Sequence, residues 1–466
     1  MRPLRSLLAP ALAAALAGCA LTPPPARDDT ARQALPNLKP PEAWAERPGA
    51  GGAVTGGWLA AFNDARLEGL VREALAYNPD LQVAAARVDQ AASYVKAAGG
   101  TLYPQVSLLA RGGGALSDSS GLQGVGIFAN WELDLWGRVR AGRAAASGQY
   151  DSATLDTEFA RQSLAAMVAK SWFLAVEARL QKANADEMAA AAQRQLGFAQ
   201  DRLRVGSGDQ NDVTLARATL ATYRDSARNL DYAYRQSLRA LEALVGRYPA
   251  AALEVPAQFA AMPGPVPAGM PSELLERRPD VVAAERRVAA AFYRTEEAKA
   301  ARLPRIALSG AGTTISSELF VLKDRDNPVW SLGASITAPL FLGGQLQAQV
   351  DIRTAEQKQA VAEYGRVGAR AFGEVESALS AGFALEDREE ILKEAVEENA
   401  RALEFANQRY RVGAGDMRAV QQQTLALSAA RTALLRVQSE RLVQRVNLHL
   451  ALGGNFEAGG SPEQKK

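Results

Sequence analysis

The chain has 466 residues, 48% of them hydrophobic and 22% charged, and a formal net charge of +2. That balance gives no electrostatic case for nucleic acid, and the single cysteine, Cys19, leaves no disulfide within the chain and no thiolate metal site. Beyond the first residues no uninterrupted apolar run approaches the roughly 18 residues of a spanning helix, so if the body of the chain crosses a membrane it does so as a β-barrel.

At the N-terminus Arg2 and Arg5 precede an apolar stretch from Leu7 to Ala17, which closes on Leu16-Ala17-Gly18-Cys19. This is the pattern of a secretory signal, residues 1–18, ending in a lipobox, and it predicts a mature chain that begins with a lipidated Cys19. Ala20, in place of an aspartate, predicts sorting to the outer membrane. Residues 19–57, rich in Pro, Gly and Ala, read as a tether, and residues 456–466 as a flexible tail.

The body of the chain is written twice. Asn78-Pro79-Asp80-Leu81 leads into a helical run ending at Leu102-Tyr103-Pro104, and Arg278-Pro279-Asp280-Val281 leads into another ending at Arg302-Leu303-Pro304. Arg204-Val205-Gly206-Ser207-Gly208-Asp209 recurs as Arg411-Val412-Gly413-Ala414-Gly415-Asp416, and Ala243-Leu244-Val245-Gly246 as Ala451-Leu452-Gly453-Gly454. The first repeat, 58–255, is predicted as an opening helix, a β-hairpin over 104–135, a long helix over 139–204 and a returning helix over 212–245. The second, 256–455, repeats the order with a hairpin over 304–340, a long helix over 345–411 and a returning helix over 417–452, with Ser272 as cap of its opening helix.

The strand pattern is clearest where Val125, Ile127, Ala129, Trp131, Leu133 and Leu135 alternate with Gly126, Phe128, Asn130, Glu132 and Asp134. Trp330, Leu332, Ala334, Ile336, Ala338 and Leu340 alternate in the same way, and shorter partners begin at Val106 and Ile306. Such strands fit a transmembrane barrel or a soluble sandwich edge equally well. The long helices decide between them, because no compact domain needs a proline-free helix on the order of 100 Å long. Four strands cannot close a lumen and an open sheet leaves backbone groups unpaired in hydrocarbon, so the sheet must be completed by other copies. Three copies would supply about twelve strands. The fold class is therefore an α+β membrane protein, a tandem-repeat protomer that trimerises into a β-barrel continued by an α-helical barrel.

Several runs together resemble the lipidated branch of the TolC-like outer membrane efflux factors. They are Leu274-Leu275-Glu276-Arg277-Arg278-Pro279-Asp280-Val281, Trp131-Glu132-Leu133-Asp134-Leu135-Trp136-Gly137-Arg138, Ala338-Pro339-Leu340-Phe341 before Gly343-Gly344, and the closing Leu448-His449-Leu450-Ala451-Leu452-Gly453-Gly454. The resemblance covers nearly all of the mature chain. It implies a homotrimeric exit channel in the outer membrane with its helical barrel in the periplasm, working with a periplasmic membrane-fusion adaptor and an inner-membrane pump, commonly of the resistance-nodulation-division class. It also implies export of small toxic compounds such as drugs, solvents or metals, with no cofactor.

The family's adaptor-docking pattern, Val-Gly-x-x-Asp, matches at two tips: Arg204, Val205, Gly206 and Asp209, and Arg411, Val412, Gly413 and Asp416. The glycine suits a tight hairpin and the aspartate a helix cap. The closed tip in this family is held by acidic rings and polar links. Asp212 matches such a position, but Ala419 stands at its second-copy equivalent, followed by Gln421, Gln422 and Gln423. The expected constriction therefore involves Asp416, Gln421 and Gln422, with Arg418 or Arg411 reaching toward Asp209 or Asp212 of a neighbouring hairpin.

An enzyme is disfavoured: the sequence carries no Ser-His-Asp set, no phosphate-cradling loop and no metal cluster, and His449 is the only histidine. Glu132 and Asp134 on one strand face more plausibly tune the charge of a lumen than hydrolyse sugars. Type I protein secretion is the alternative channel function, and a structural coiled-coil lipoprotein the more distant one.

Overall fold

The computed structural model describes residues 21–38, 40–45, 52, 54, 56–111, 123–316 and 328–457. Cys19, the signal over 1–18 and the chain beyond 457 lie outside them; Ser272, expected to cap the second opening helix, sits inside a 3-10 turn over Pro271–Glu273, and Glu273 takes the cap position of the helix that follows. After a short helix α1 (Arg27–Ala34), the first repeat runs through α2 (Ala65–Tyr77), α3 (Pro79–Gly100), β1 (Gln105–Arg111), β2 (Gln123–Leu133), α4 (Arg138–Arg204) and α5 (Gln210–Val245). The second runs through α6 (Leu274–Arg277), α7 (Pro279–Ala300), β3 (Arg305–Ser316), β4 (Pro328–Thr337), α8 (Gln345–Arg411) and α9 (Met417–Ala451). Helices α4 and α8 each have 67 residues.

Local chemistry sets the element ends. Asp64 caps α2 by accepting from the Arg66 and Leu67 amides at 3.0 and 3.1 Å, while its other oxygen accepts from the Trp172 indole at 2.9 Å. Pro79 and Pro279 force the residue before them out of the helical region, with ψ of 123° at Asn78 and 122° at Arg278. Both pre-proline side chains then do the same work at the end of their own repeat. Asn78 donates to the Leu244 carbonyl at 3.0 Å and Arg278 to the Ala451 carbonyl at 3.2 Å, each satisfying an acceptor at the end of the returning helix. Arg278 is 1% exposed and is neutralised by Glu374 at 2.6 Å.

The four strands form one antiparallel sheet in the order β1-β2-β3-β4. Its register pairs Leu108 with Ile127, Ile127 with Gly312 and Gly312 with Trp330, so the apolar alternation of all four strands falls on one face. Val106, Leu108, Ile127, Trp330, Leu332 and Ile336 on that face are exposed. The opposite face carries Ser107, Asn130, Glu132, Ser309, Ser331 and Ser335, with Leu109 and Phe128 as apolar exceptions. Within the chain β1 and β4 are edges. Among the described residues no helix is long and apolar enough to cross a membrane.

The compact units do not follow the repeats. One gathers residues 84–157 and 280–369 with the N-terminal segment, the other residues 40–83, 158–279 and 370 onward, so each draws on both halves. In the first unit the segment expected to be a plain tether holds α1. Arg27 pairs with Glu285 at 3.3 Å, Thr30 is buried, and a Cβ added at Gly365 would stand 2.5 Å from the Ala34 carbonyl oxygen. In the second unit the same tether buries Trp44, whose indole donates to the carbonyls of Ala268 and Gly269. That unit has a core built on Leu67, Val71, Trp172, Phe173, Leu241, Val245, Leu442 and Val446. Phe456, expected in the tail, is buried in it.

Three boundaries also differ from expectation by two residues or more, the first being the end of β4, which stops at Thr337 and not at 340. Strand β2 stops at Leu133, because the Asp134 carboxylate accepts from the amides of Val139 and Arg140 at 2.9 Å each and so starts α4. Glu132 and Asp134, read as lumen charges, are each paired with an arginine, Arg138 and Arg140. Helix α5 begins at Gln210 and not at Asp212, because Asp209 is its cap.

Candidate functional site

The candidate site is the pair of hairpin tips joining α4 to α5 and α8 to α9. Both close in the same way. Gly206 and Gly413 sit in the left-handed region at φ of 77° and 79°. The Gly206 amide donates to the Leu203 carbonyl and Ser207 to Arg202; in the second tip Gly413 donates to Tyr410 and Ala414 to Arg409. These are Schellman closures, which satisfy the last carbonyls of a helix and require the chain to take a left-handed residue. Asp209 then accepts from the Asn211 amide at 3.1 Å and Asp416 from the Ala419 amide at 2.8 Å, capping the returning helices. What capping leaves over is apolar: Val205 and Val412 are 72% and 78% exposed at equivalent positions.

One side chain pair that sequence reasoning passed over links the two tips. Arg202 donates to the Tyr410 carbonyl at 2.8 Å and to the Ser207 carbonyl at 2.9 Å, with its guanidinium 4.7 Å from the centre of the Tyr410 ring. The Tyr410 hydroxyl donates to Asp212 at 3.0 Å. Burial, reinforced by that carboxylate, pushes the Tyr410 phenol up to about 12, so it stays a donor across the physiological range. Phe198 stands edge-on to the same ring at 5.7 Å. The signal was available by laying one copy on the other, because Tyr410 occupies the place of Leu203 while the arginine before it, Arg202 or Arg409, is kept.

The remaining expected gate residues divide. Arg204 pairs with Asp201 of its own helix at 2.7 Å. Arg411 and Arg418 are exposed, and among the described residues neither pairs with Asp209 or Asp212; within one chain Asp212 is held by Tyr410 instead. Gln422 is exposed, whereas Gln421 turns its amide nitrogen into the protein, where that buried donor has no partner. Gln423 is half-buried. Asp416 is occupied as a cap.

An antiparallel sheet with one apolar face and two open edges, in a chain that also folds two long helical hairpins with matched tips, defines the protomer of an outer-membrane channel. The family profile described as "Outer membrane efflux protein" matches residues 70–247 and 270–454, one span in each half, and the chain belongs to that family. It is 30% identical over 420 residues to the pyoverdine export outer membrane protein OpmQ of Pseudomonas putida, covering 86% of this chain and 88% of the relative. It is also 30% identical over 466 residues to the cation efflux system protein CusC of Escherichia coli O6:H1, covering 96% and 98%. Among solved structures it is similar to the open state of the MtrE outer membrane channel of Neisseria gonorrhoeae, with a TM-score of 0.78 at 27% identity, covering 94% of this chain and 98% of that one. The chain is thus an efflux protein of the outer membrane, of the channel type that its motifs resemble.

Proposed function

We propose that three copies of the chain form the exit duct of a tripartite efflux pump, receiving small toxic compounds from an inner-membrane pump of the resistance-nodulation-division class through a periplasmic adaptor. The relatives' names carry different cargoes, pyoverdine and cations, and this supports a duct whose cargo is chosen upstream. In this reading Cys19 bears the lipid anchor, and the two tips, with Arg204, Val205, Gly206 and Asp209 in one and Arg411, Val412, Gly413 and Asp416 in the other, meet the adaptor. Tyr410, Asp212 and Arg202 hold neighbouring hairpins together when the duct is shut, while Arg418 and Gln422 face the constriction or the next copy, and Gln421, whose amide nitrogen turns into the protein, backs them.

The observation that carries the proposal is the exposed valine at the same place in both tips, since turn chemistry needs the glycine and the aspartate but not an apolar side chain in water. Replacing both residues, Val205→Glu with Val412→Glu, leaves the fold and the outer-membrane level unchanged. It abolishes drug or metal export in cells and cross-linking of the tips to the adaptor. Full export by this double variant contradicts docking through the tips.

A further inference from the structure

In the second unit a cavity of about 560 Å³ lies between the segment Met262-Pro263-Gly264-Pro265-Val266 and helices α8 and α9. Its apolar lining includes Met262, Leu379, Phe383 and Leu448, and the charged groups that join it are Glu386, Arg441 and Arg445. That size is within the range of small-ligand pockets. The charges are not balanced one for one. Arg441 donates to Glu386 at 3.0 Å and also to Glu389, so both of those carboxylates are engaged by it. Arg445 donates one bond, to the Gly264 carbonyl at 2.8 Å, and pairs with no carboxylate among the described residues. Burial first, and then the Arg441 charge, hold Arg445 below the ordinary arginine value, with Glu386 opposing.

A second observation concerns Gly382, which lines the same cavity from the middle of α8. A helix-interior glycine is destabilising relative to alanine and is expected where a neighbour leaves no room for a side chain. Here a Cβ would meet nothing within 4 Å. No element of the chain approaches Gly382, so a large side chain placed there would extend into the cavity while a methyl group would leave it open.

An arginine with unused donors beside apolar walls recognises an anion with an apolar body, because its planar fork matches a carboxylate, sulfonate or phosphate. We propose that this cavity binds a small anionic amphiphile, with its head on Arg445 and its chain against Met262, Leu379 and Phe383. The site is separate from the tips and does not depend on their assignment.

The test uses the full chain in phosphatidylcholine nanodiscs, labelled with a long-chain fatty acid bearing a photoactivatable diazirine, with adducts mapped by peptide mass spectrometry. Adducts are expected on the segments carrying Met262 and Leu379–Phe383, about tenfold weaker with the uncharged alcohol analogue and in Arg445→Gln, as the loss of one charge-assisted contact implies. Gly382→Trp abolishes them and Gly382→Ala does not. A phosphatidic acid diazirine in the disc separates the sources: adducts from it point to a membrane lipid, adducts from the fatty acid alone to a soluble amphiphile, and either supports the site. Equal labelling by the acid and the alcohol, or adducts confined to the β-strands, overturns the proposal; this reading stands even if Gly382→Trp does not assemble, since it needs only the unaltered chain.

Discussion

At the scale of single residues, the tip is held by fewer and more specific contacts than its composition suggests. The Tyr410–Asp212 hydrogen bond joins helix α8 to helix α5, the long helix of one repeat to the returning helix of the other. A hydrogen bond to a carboxylate contributes about 2 kcal/mol, small enough for a gate that must open. Tyr410→Phe keeps the ring against Phe198 and Arg202 and removes only the donor, so single-channel recordings should show a larger or more frequently open conductance. An unchanged conductance excludes this bond from the closed state. The link was hard to read in advance because Tyr410 lies before the glycine motif, in a stretch that reads as ordinary helix, and its partner Asp212 was assigned to an arginine on charge alone. His449 illustrates the same limit. It stacks on Trp58 at 5.8 Å, with an orphaned buried Nδ1, and burial with Arg445 beside it lowers its pKa to about 4. The unfolded chain binds this proton near the ordinary value of about 6.5 and the folded one only near 4, so stability is full above the first value and falls as pH drops toward the second, by up to about 3 kcal/mol. Replacing the imidazole, as in His449→Phe, flattens that slope in thermal unfolding followed between the two pH values; an unchanged slope contradicts a buried neutral histidine.

At the scale of elements, the two glycines of the first tip have different reasons. Gly206 adopts a left-handed φ with nothing within 4 Å of an added Cβ, so Gly206→Ala meets only the backbone penalty, about 1 kcal/mol. At Gly208 a Cβ would lie 2.8 Å from the Leu203 nitrogen and 2.9 Å from the Arg202 carbonyl carbon, backbone that cannot yield without opening the turn. Gly208→Ala is therefore expected to lower the thermal midpoint more than Gly206→Ala and to weaken export; the reverse order would contradict the turn geometry. The sequence carried most of the element order because helix length, proline position and strand alternation are written in local periods. Helix α1 escaped, since its Arg27–Ala34 segment follows a proline run and is fixed by Glu285 and by Gly365, far along the chain. The end of β2 escaped for a similar reason: Asp134 continues the alternation of the strand but is drawn off as the cap of α4. Local patterning named the residues, and the contacts decided which element each joined.

At the scale of the molecule, the repeats are continuous in sequence yet both are needed for each compact unit. The chain is therefore legible as two copies while neither copy makes a compact unit of its own. The sheet has a largely apolar face and a face of mostly small and polar residues, and strands β1 and β4 end it on either side. In a membrane those edges would leave backbone donors and acceptors unpaired at several kcal/mol each, so β1 of one copy must pair with β4 of the next. The working unit is thus a closed ring of copies. The native mass of the protein extracted from outer membranes in a mild detergent tests this. A particle of three chains is expected; a stable monomer that remains folded in the membrane would contradict the ring.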